Sequence, residues 1–469
     1  PEYTIILKNI AYLYRLLNEL NKATTCFEEY LGVVKKLKGT NSDEYEEGLN
    51  ALSLVLVENG KYSEAIPLYK ELAKFYGDKL GEEHEKYSDF INGLGRLYME
   101  MADFSNSELM FRKAMGIRKK NAGENSESYA QSLNNMGVLF RKKGDFKTAR
   151  TYYEQAVALR KRVVGELHQD YANSISNLAE LCEQEGDYGT AEKYYLQTNA
   201  IIKKVWGEES PDYAMNLNNL ASLYEHMGKN KESEQLYRQA MAIRKKILGE
   251  EHPDYAQSLN NLAMVFGNTG QYGEAEIYYK QALAIRKKVF GEAHPDYAQT
   301  LSNLGTLYSK MGKYSEAEAL FKEALAIRKK NTGEENPDYA LVLDNLASLY
   351  NEINDFRAAE PLYNTVIAIR KKVLGENHPD YASSINNLAA LYHKESKYGE
   401  AEKMYNQVIE VYNKTTGEET TGYATTLNNL GELYRSMGNY KTSESFFLRA
   451  LAIKKKLLGP SHPGTAITY

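Results

Sequence analysis

The expected architecture is all-α: an α-solenoid of eleven stacked helix-turn-helix repeats forming a single domain over residues 1–469. Three features carry that expectation. A tyrosine recurs every 42 residues, at Tyr3, Tyr45, Tyr87, Tyr129, Tyr171, Tyr213, Tyr255, Tyr297, Tyr339, Tyr381 and Tyr423, with no insertion or deletion. Within each unit, apolar residues recur at spacings of three and four, the period of a helix face. Glycine closes every unit, from Gly39 to Gly459, where a helix end favours a left-handed residue. Eleven units fill residues 1–462 and the start of a twelfth follows. The roughly three domains suggested by length alone therefore merge into one array.

Each element has its own chemistry, and offsets counted from the tyrosine make it visible. Leu or Ile stands at +4 (Leu217, Leu259), an aliphatic or Met at +7 (Leu262, Met136), a small residue at +8 (Ala263, Gly305) and mostly an aromatic at +11 (Tyr224, Phe266). These share one face of a first helix. Glycine is common at +15 (Gly228, Gly270, Gly312), where a turn belongs. A second helix follows, small at +20 (Ala275, Ser233), aromatic at +24 (Tyr279, Phe321) and aliphatic at +30 except for Phe75. It ends in cationic runs such as Arg286-Lys287-Lys288, which suit a helix C-terminus. The next first helix is announced at −3 by Ser42, His84, Ser126, His168, Ser210, His252, His294, Asn336, His378, Thr420 and His462, all able to cap a free amide. Proline follows in many units (Pro211, Pro253, Pro295), as at the first helical position.

Composition narrows the function. Lys+Arg 58 against Asp+Glu 63 leaves a net charge of −5, a poor basis for gripping nucleic acid. No apolar run approaches the ~18 residues of a membrane helix. The two cysteines, Cys26 and Cys182, are too few for a disulfide framework. Six of the eight histidines alternate with Ser, Asn and Thr in the helix-start column, which favours capping over catalysis or metal binding. Gly93-Leu94-Gly95 begins a dinucleotide fingerprint but lies on a helix face and continues to Tyr98. Cys182 occupies the +11 core column. No convergent acid, base or nucleophile emerges, so neither an enzyme nor a cofactor or metal is expected.

The strings Leu259-Asn-Asn-Leu-Ala, Gly270-Gln-Tyr-Gly-Glu-Ala-Glu and Tyr279-Lys-Gln-Ala-Leu-Ala-Ile-Arg-Lys-Lys resemble the tetratricopeptide repeat. The 42-residue period and the closing Gly-Glu-Glu-His-Pro-Asp-Tyr are similar to the kinesin light chain variety. That resemblance implies a right-handed superhelix whose first helices line a concave groove, with asparagines holding extended peptides. Candidate peptide-binding residues are Asn135, Asn177, Asn219, Asn261, Asn303, Asn345, Asn387 and Asn429 at +6, with Asn134, Asn218, Asn260, Asn386 and Asn428 at +5. Asparagine is a mediocre helix former, so its recurrence in mid-helix needs a cause. A carboxamide can hold a peptide backbone through its donors and acceptor; equally, it can hydrogen-bond a neighbouring helix and only pin the stack. Selectivity would come from variable columns, among which Glu180, Glu183 and Glu225 suggest a locally acidic groove that favours a basic ligand.

Two functional readings follow. The first is a cytoplasmic, non-catalytic scaffold binding a protein or peptide partner in its groove, with no membrane and no nucleic-acid role. The second, also implied by the resemblance, is the sensing array of a multidomain effector, fused or docked to a caspase-like protease of the CHAT type or to a nucleotide-driven switch. The start at Pro1, without an initiator methionine or a polar capping helix, fits a segment of a longer polypeptide.

Overall fold

The computed structural model describes residues 2–17, 19–415, 417–459, 462 and 465. Every unit forms the expected pair of helices. The first helices are Glu2–Leu16, Asp43–Glu58, Glu85–Glu100, Glu127–Lys142, Gln169–Gln184, Pro211–His226, Pro253–Asn268, Pro295–Lys310, Pro337–Glu352, Pro379–Lys394 and Thr421–Ser436. The second helices are Leu20–Lys38, Tyr62–Leu80, Phe104–Ala122, Phe146–Val163, Tyr188–Trp206, Asn230–Leu248, Tyr272–Phe290, Tyr314–Thr332, Phe356–Leu374, Tyr398–Lys414 and Tyr440–Leu458. Units are numbered one to eleven by their leading tyrosines. Among the described residues the chain is all-α, and no helix is long and apolar enough to cross a membrane.

The boundary chemistry works as the sequence implies. Ser42, Ser126, Ser210 and Thr420 accept from the tyrosine amide three residues on, at 3.2–3.3 Å. Histidine solves the same problem differently: Nδ1 of His84, His168, His252, His294 and His378 accepts from the amide two residues on, at 3.0–3.2 Å. Pro1 and Pro463, which the sequence also places at helix starts, lie outside the described residues. At +15 the backbone is left-handed in every described unit. Ala102 (φ 58°), Asn354 (φ 62°) and Ser396 (φ 61°) adopt it where other units use glycine.

The +4, +7, +8, +20 and +24 columns form the core. The small +8 residue lets the helix pair close: a Cβ on Gly137 would lie 2.5 Å from the Tyr153 ring, and one on Gly95 would lie 2.6 Å from Phe111. Cys182, fully buried in the +11 column, packs with Ala179, Tyr195 and Leu223.

Curvature follows from which layer is tighter. Successive first helices contact one another, as Glu127–Lys142 does Gln169–Gln184 and Pro295–Lys310 does Pro337–Glu352, more closely than successive second helices do. The first helices therefore form the inner layer. The curve completes a turn in six units, where a second layer of contacts begins. The second helix of unit seven (Tyr272–Phe290) touches that of unit one, and that of unit eight (Tyr314–Thr332) touches that of unit two. Phe290 packs against the core of the first units, and Val373 and Leu374 pack against the cluster containing Met99, Phe104 and Phe140.

Candidate ligand-binding surface

On the inner layer, offsets +2, +5/+6, +9 and +12/+13 share one helix face. All eight candidate +6 asparagines are half-buried, whereas Asn218 and Asn260 at +5 are buried. Most +6 side chains donate through Nδ2 to the +5 side chain of the preceding unit. Asn135 donates to Asn92 Oδ1 (2.8 Å), Asn177 to Asn134 (3.0 Å), Asn303 to Asn260 (3.1 Å) and Asn429 to Asn386 (3.1 Å). Where +5 is not Asn, another acceptor serves: Ser176 Oγ for Asn219 (3.5 Å), Ser302 Oγ for Asn345 (3.1 Å) and Asp344 Oδ1 for Asn387 (3.1 Å). Asn261 differs for a clear reason. The oxygen of its +5 partner Asn218, in the orientation that satisfies both its polar atoms, accepts from Arg244 Nη1 and Nη2 at 2.7 and 2.9 Å. Asn261 Oδ1 instead accepts from Gln257 Nε2 at 2.7 Å. Asn428 leaves its Oδ1 buried without a hydrogen bond. Except at Asn261, the row thus links repeats through one N–H of each carboxamide. The other N–H and, except in Asn261, the oxygen have no further bond to the described residues.

Each glutamate behind the expected acidic groove has a partner in a neighbouring element. Glu180 pairs with Arg141 Nη1 at 2.7 Å. Glu183 contacts His226 Nδ1 at 2.6 Å and accepts from Tyr195 Oη at 3.2 Å. That hydrogen bond from Glu183 is the largest influence raising the His226 pKa. Glu225 accepts from Asn268 at 2.7 Å, and burial pushes its carboxyl above the usual range. Arg141 and, when protonated, His226 offset the charge of Glu180 and Glu183, whereas Asn268 gives Glu225 a hydrogen bond without countercharge. Glu180, Glu183, Tyr195 and His226, with Gln184, Asn219, Ser222 and Thr421, line a concavity of about 510 Å³.

The cationic runs are not an open ridge either. Arg118, Arg160, Arg244, Arg286 and Arg370 at +31 are buried. Each donates to the backbone carbonyl ten residues on and to the hydroxyl fourteen residues on, as Arg286 does to Asp296 O (2.7 Å) and Thr300 Oγ1. Arg160 does so to Asp170 O (2.9 Å) and Ser174 Oγ (2.8 Å). The following lysines are neutralised: Lys287 pairs with Glu292 and Lys288 with Glu251. Sequence reasoning treated the whole run as helix-end charge and missed this role of the arginine. The signal was a hydroxyl at +3 of the next unit; where it is Val342, Arg328 turns to Asp338 at 3.1 Å instead.

Sequence reasoning also missed what the helix-start column does in the second turn. His294 Nε2 lies 3.3 Å from Glu58 O, Asn336 Nδ2 donates to Glu100 O at 3.3 Å, and His462 Nε2 lies 3.2 Å from His226 O. His378 likewise bonds the Lys142 backbone. The separation between partners is 236 residues in every pair. With Nδ1 committed to the cap, a neutral imidazole must carry its proton on Nε2, the atom that faces the carbonyl. The histidines of this column in the first turn face solvent: His84 and His168 are exposed, whereas His294 is 6% and His378 9% exposed.

Among the described residues no group of three or more His, Cys, Asp or Glu is arranged to hold a metal ion. No curated protein matches the chain. A tetratricopeptide repeat family model matches residues 87–162, 128–204, 212–288, 268–330, 296–372 and 338–414, and a second of the same description matches 48–85 and 424–464. Similar solved structures include BtubC (BKLC) from P. vanneervenii, 27% identical over 49% of this chain and 92% of that one, with a TM-score of 0.41. A kinesin-light-chain-type protein of Podosopora anserina with nearly identical TPR-like repeats is 29% identical over 44% of this chain and 97% of that one, with a TM-score of 0.36.

Proposed function

Since the chain belongs to the tetratricopeptide repeat family, we propose that it is a non-catalytic interaction scaffold of the kinesin light chain kind, holding an extended peptide segment of a partner along its inner layer. The observation that carries this reading is the half-exposed +6 row of Asn135, Asn177, Asn219, Asn261, Asn303, Asn345, Asn387 and Asn429. A carboxamide has two N–H donors and an oxygen that accepts twice. The inter-repeat bonds use one donor each in seven of the eight, Asn261 being the exception, which leaves a regularly spaced set of groups suited to main-chain amides whatever the ligand's sequence. Of the +5 candidates, the buried Asn218 and Asn260 support the row from behind, whereas Asn134, Asn386 and Asn428, half-buried like the row itself, extend the binding surface. Two free cysteines, Cys26 and Cys182, suit a reducing compartment such as the cytoplasm.

The test is a selection from a displayed library of linear peptides, followed by affinity measurement on two variants. One carries Asn219→Ala, Asn261→Ala, Asn303→Ala and Asn345→Ala. The other fills the inner wall with Ser222→Trp and Thr306→Trp, leaving the asparagines in place. Loss of the selected peptides by both variants, with helicity and melting retained, supports the reading. Peptides bound equally by wild type and by the filled variant would place recognition elsewhere on the array.

A further inference from the structure

The inner surface of this solenoid is bounded by more than curvature. The last turn of the first helix in units two, three, four and six meets the helix-start residue six units later, through His294, Asn336, His378 and His462. First helices of consecutive turns therefore stand nearly end to end, which sets them along the superhelix axis. The fit is close. A Cβ on Gly60 would lie 2.8 Å from the Pro295 ring, and one on Gly144 would lie 2.6 Å from His378 Cδ2. Phe290 stacks on His294 with ring centroids 4.0 Å apart. Asn21 approaches within 3.8 Å of where a Gly291 Cβ would be, so the contact extends to units one and seven.

We infer that this seam turns the groove into a channel closed along its side, and that its ligand is a single extended segment entering by a free end. The inference rests on the reading of the inner layer as the binding surface. Inner-wall side chains such as Met215, 44% exposed, keep solvent access, so the bore is open to a chain. A concavity of about 470 Å³ lies in the seam, and its lining includes Asn336 and His378, which bond Glu100 O and the Lys142 backbone across it. A looped segment held at both ends by folded domains could pass sideways to the asparagine row only where such bonds open.

The inference is testable without knowing the ligand. In a Cys26→Ser background, with Cys182 fully buried, single cysteines are placed at Met215→Cys and Ser348→Cys on the inner wall and at Gln281→Cys on an exposed second-helix face. Each is reacted with N-ethylmaleimide, with a maleimide on a long linear polyether, and with a maleimide on a small folded protein. The expected result is reaction of all three sites with the first two reagents. The protein-borne reagent reacts with Gln281→Cys, and is slowed about tenfold to a thousandfold at the inner sites, if an open seam is populated at ~0.1–10%. Equal rates at all three sites would show a laterally open groove. Exclusion of the linear polyether from the inner sites would show a bore too narrow for a chain. Adding His294→Ala, Asn336→Ala and His378→Ala should restore protein-borne labelling; if it does not while helicity is retained, the seam is not the closure. These outcomes concern access alone, so they are independent of whether the peptide selection succeeds.

Discussion

Replacing one histidine separates the two jobs that the helix-start column performs. His252 and His294 occupy the same position in adjacent units and cap their helices identically, through Nδ1 at 3.1 Å. Only His294 also reaches the previous turn, at Glu58 O, and stacks on Phe290. His252→Ala should therefore cost about 1 kcal/mol, the usual loss of a cap. His294→Ala loses that cap and a hydrogen bond whose net value is about 1 kcal/mol. It also loses a stacked ring pair worth about 0.5–1.5 kcal/mol, for a total near 3 kcal/mol. His294→Asn is the informative control, because Asn336 already performs both jobs in the next unit, accepting from Asp338 N at 2.8 Å and donating to Glu100 O. That variant should lose only the stacking, about 1 kcal/mol. Urea unfolding checks the global values, and native-state hydrogen exchange of units two and eight checks the local ones, because repeat arrays need not melt as one unit. Equal costs for His252→Ala and His294→Ala would mean that the turn-to-turn contact adds no stability, and would refute the reasoning.

Acidification should weaken the same contact. Burial is the main cause that lowers the pKa of His294 and His378 from the ordinary 6.5; Arg286 and Arg328 act in the same direction at His294 and Arg370 at His378, with Asp296, Asp380 and the backbone carbonyls opposing. Folded-state values below the unfolded one mean that this stability is complete above about pH 6.5 and is lost as pH falls toward the folded values. The difference between wild type and His294→Asn/His378→Asn in melting temperature should thus diminish between pH 7.5 and 5; a constant difference would contradict it. Ala102→Gly should stabilise the array by about 0.5–1 kcal/mol, since a left-handed non-glycine residue costs about 1–2 kcal/mol and glycine's added chain entropy returns part of that. Asn354→Gly should gain less, because Asn tolerates that conformation better, and unfolding midpoints would show the ranking. Arg286→Ala should cost about 1–3 kcal/mol by leaving the Asp296 carbonyl, the buried Thr300 hydroxyl and the Gln257 oxygen without their donor, whereas Lys288→Ala, from an exposed pair, should stay within about 0.5 kcal/mol. Similar unfolding midpoints for those two would contradict the buried-arginine assignment.

The helix pairs were readable from sequence because each element is specified locally and sampled eleven times. Gly270 and Ala102 share a turn position, His252 and Ser210 a cap, and the columns expose both the rule and its exceptions. The asparagine row was also visible, though its partner column was only partly recognised: Asn92, Ser176, Ser302 and Asp344 belong to it as acceptors for Asn135, Asn219, Asn345 and Asn387. Side-chain identity hid what geometry pairs. Arg286 looked like its lysine neighbours because a helical period does not say which cation of a run points inward. The contact of His294 with Glu58 was out of reach for another reason. It depends on a small rotation per unit accumulated over six units, and no local pattern encodes that sum. The contact of Glu183 with His226 likewise spans neighbouring units and is not visible from the glutamates alone.

The seam accepts its hydrogen bonds on main-chain carbonyls, at residues as different as Glu58, Glu100 and His226. The seam is therefore indifferent to which unit lies below, provided that the unit above starts with His or Asn. Gain or loss of a whole unit would rewind every later contact by one step and leave each still made. A change of a few residues inside a unit would instead put every later cap out of phase with its carbonyl. The array is in this sense a thread with a fixed pitch: its length is free to evolve by integers, and fractions are disfavoured by the turn below.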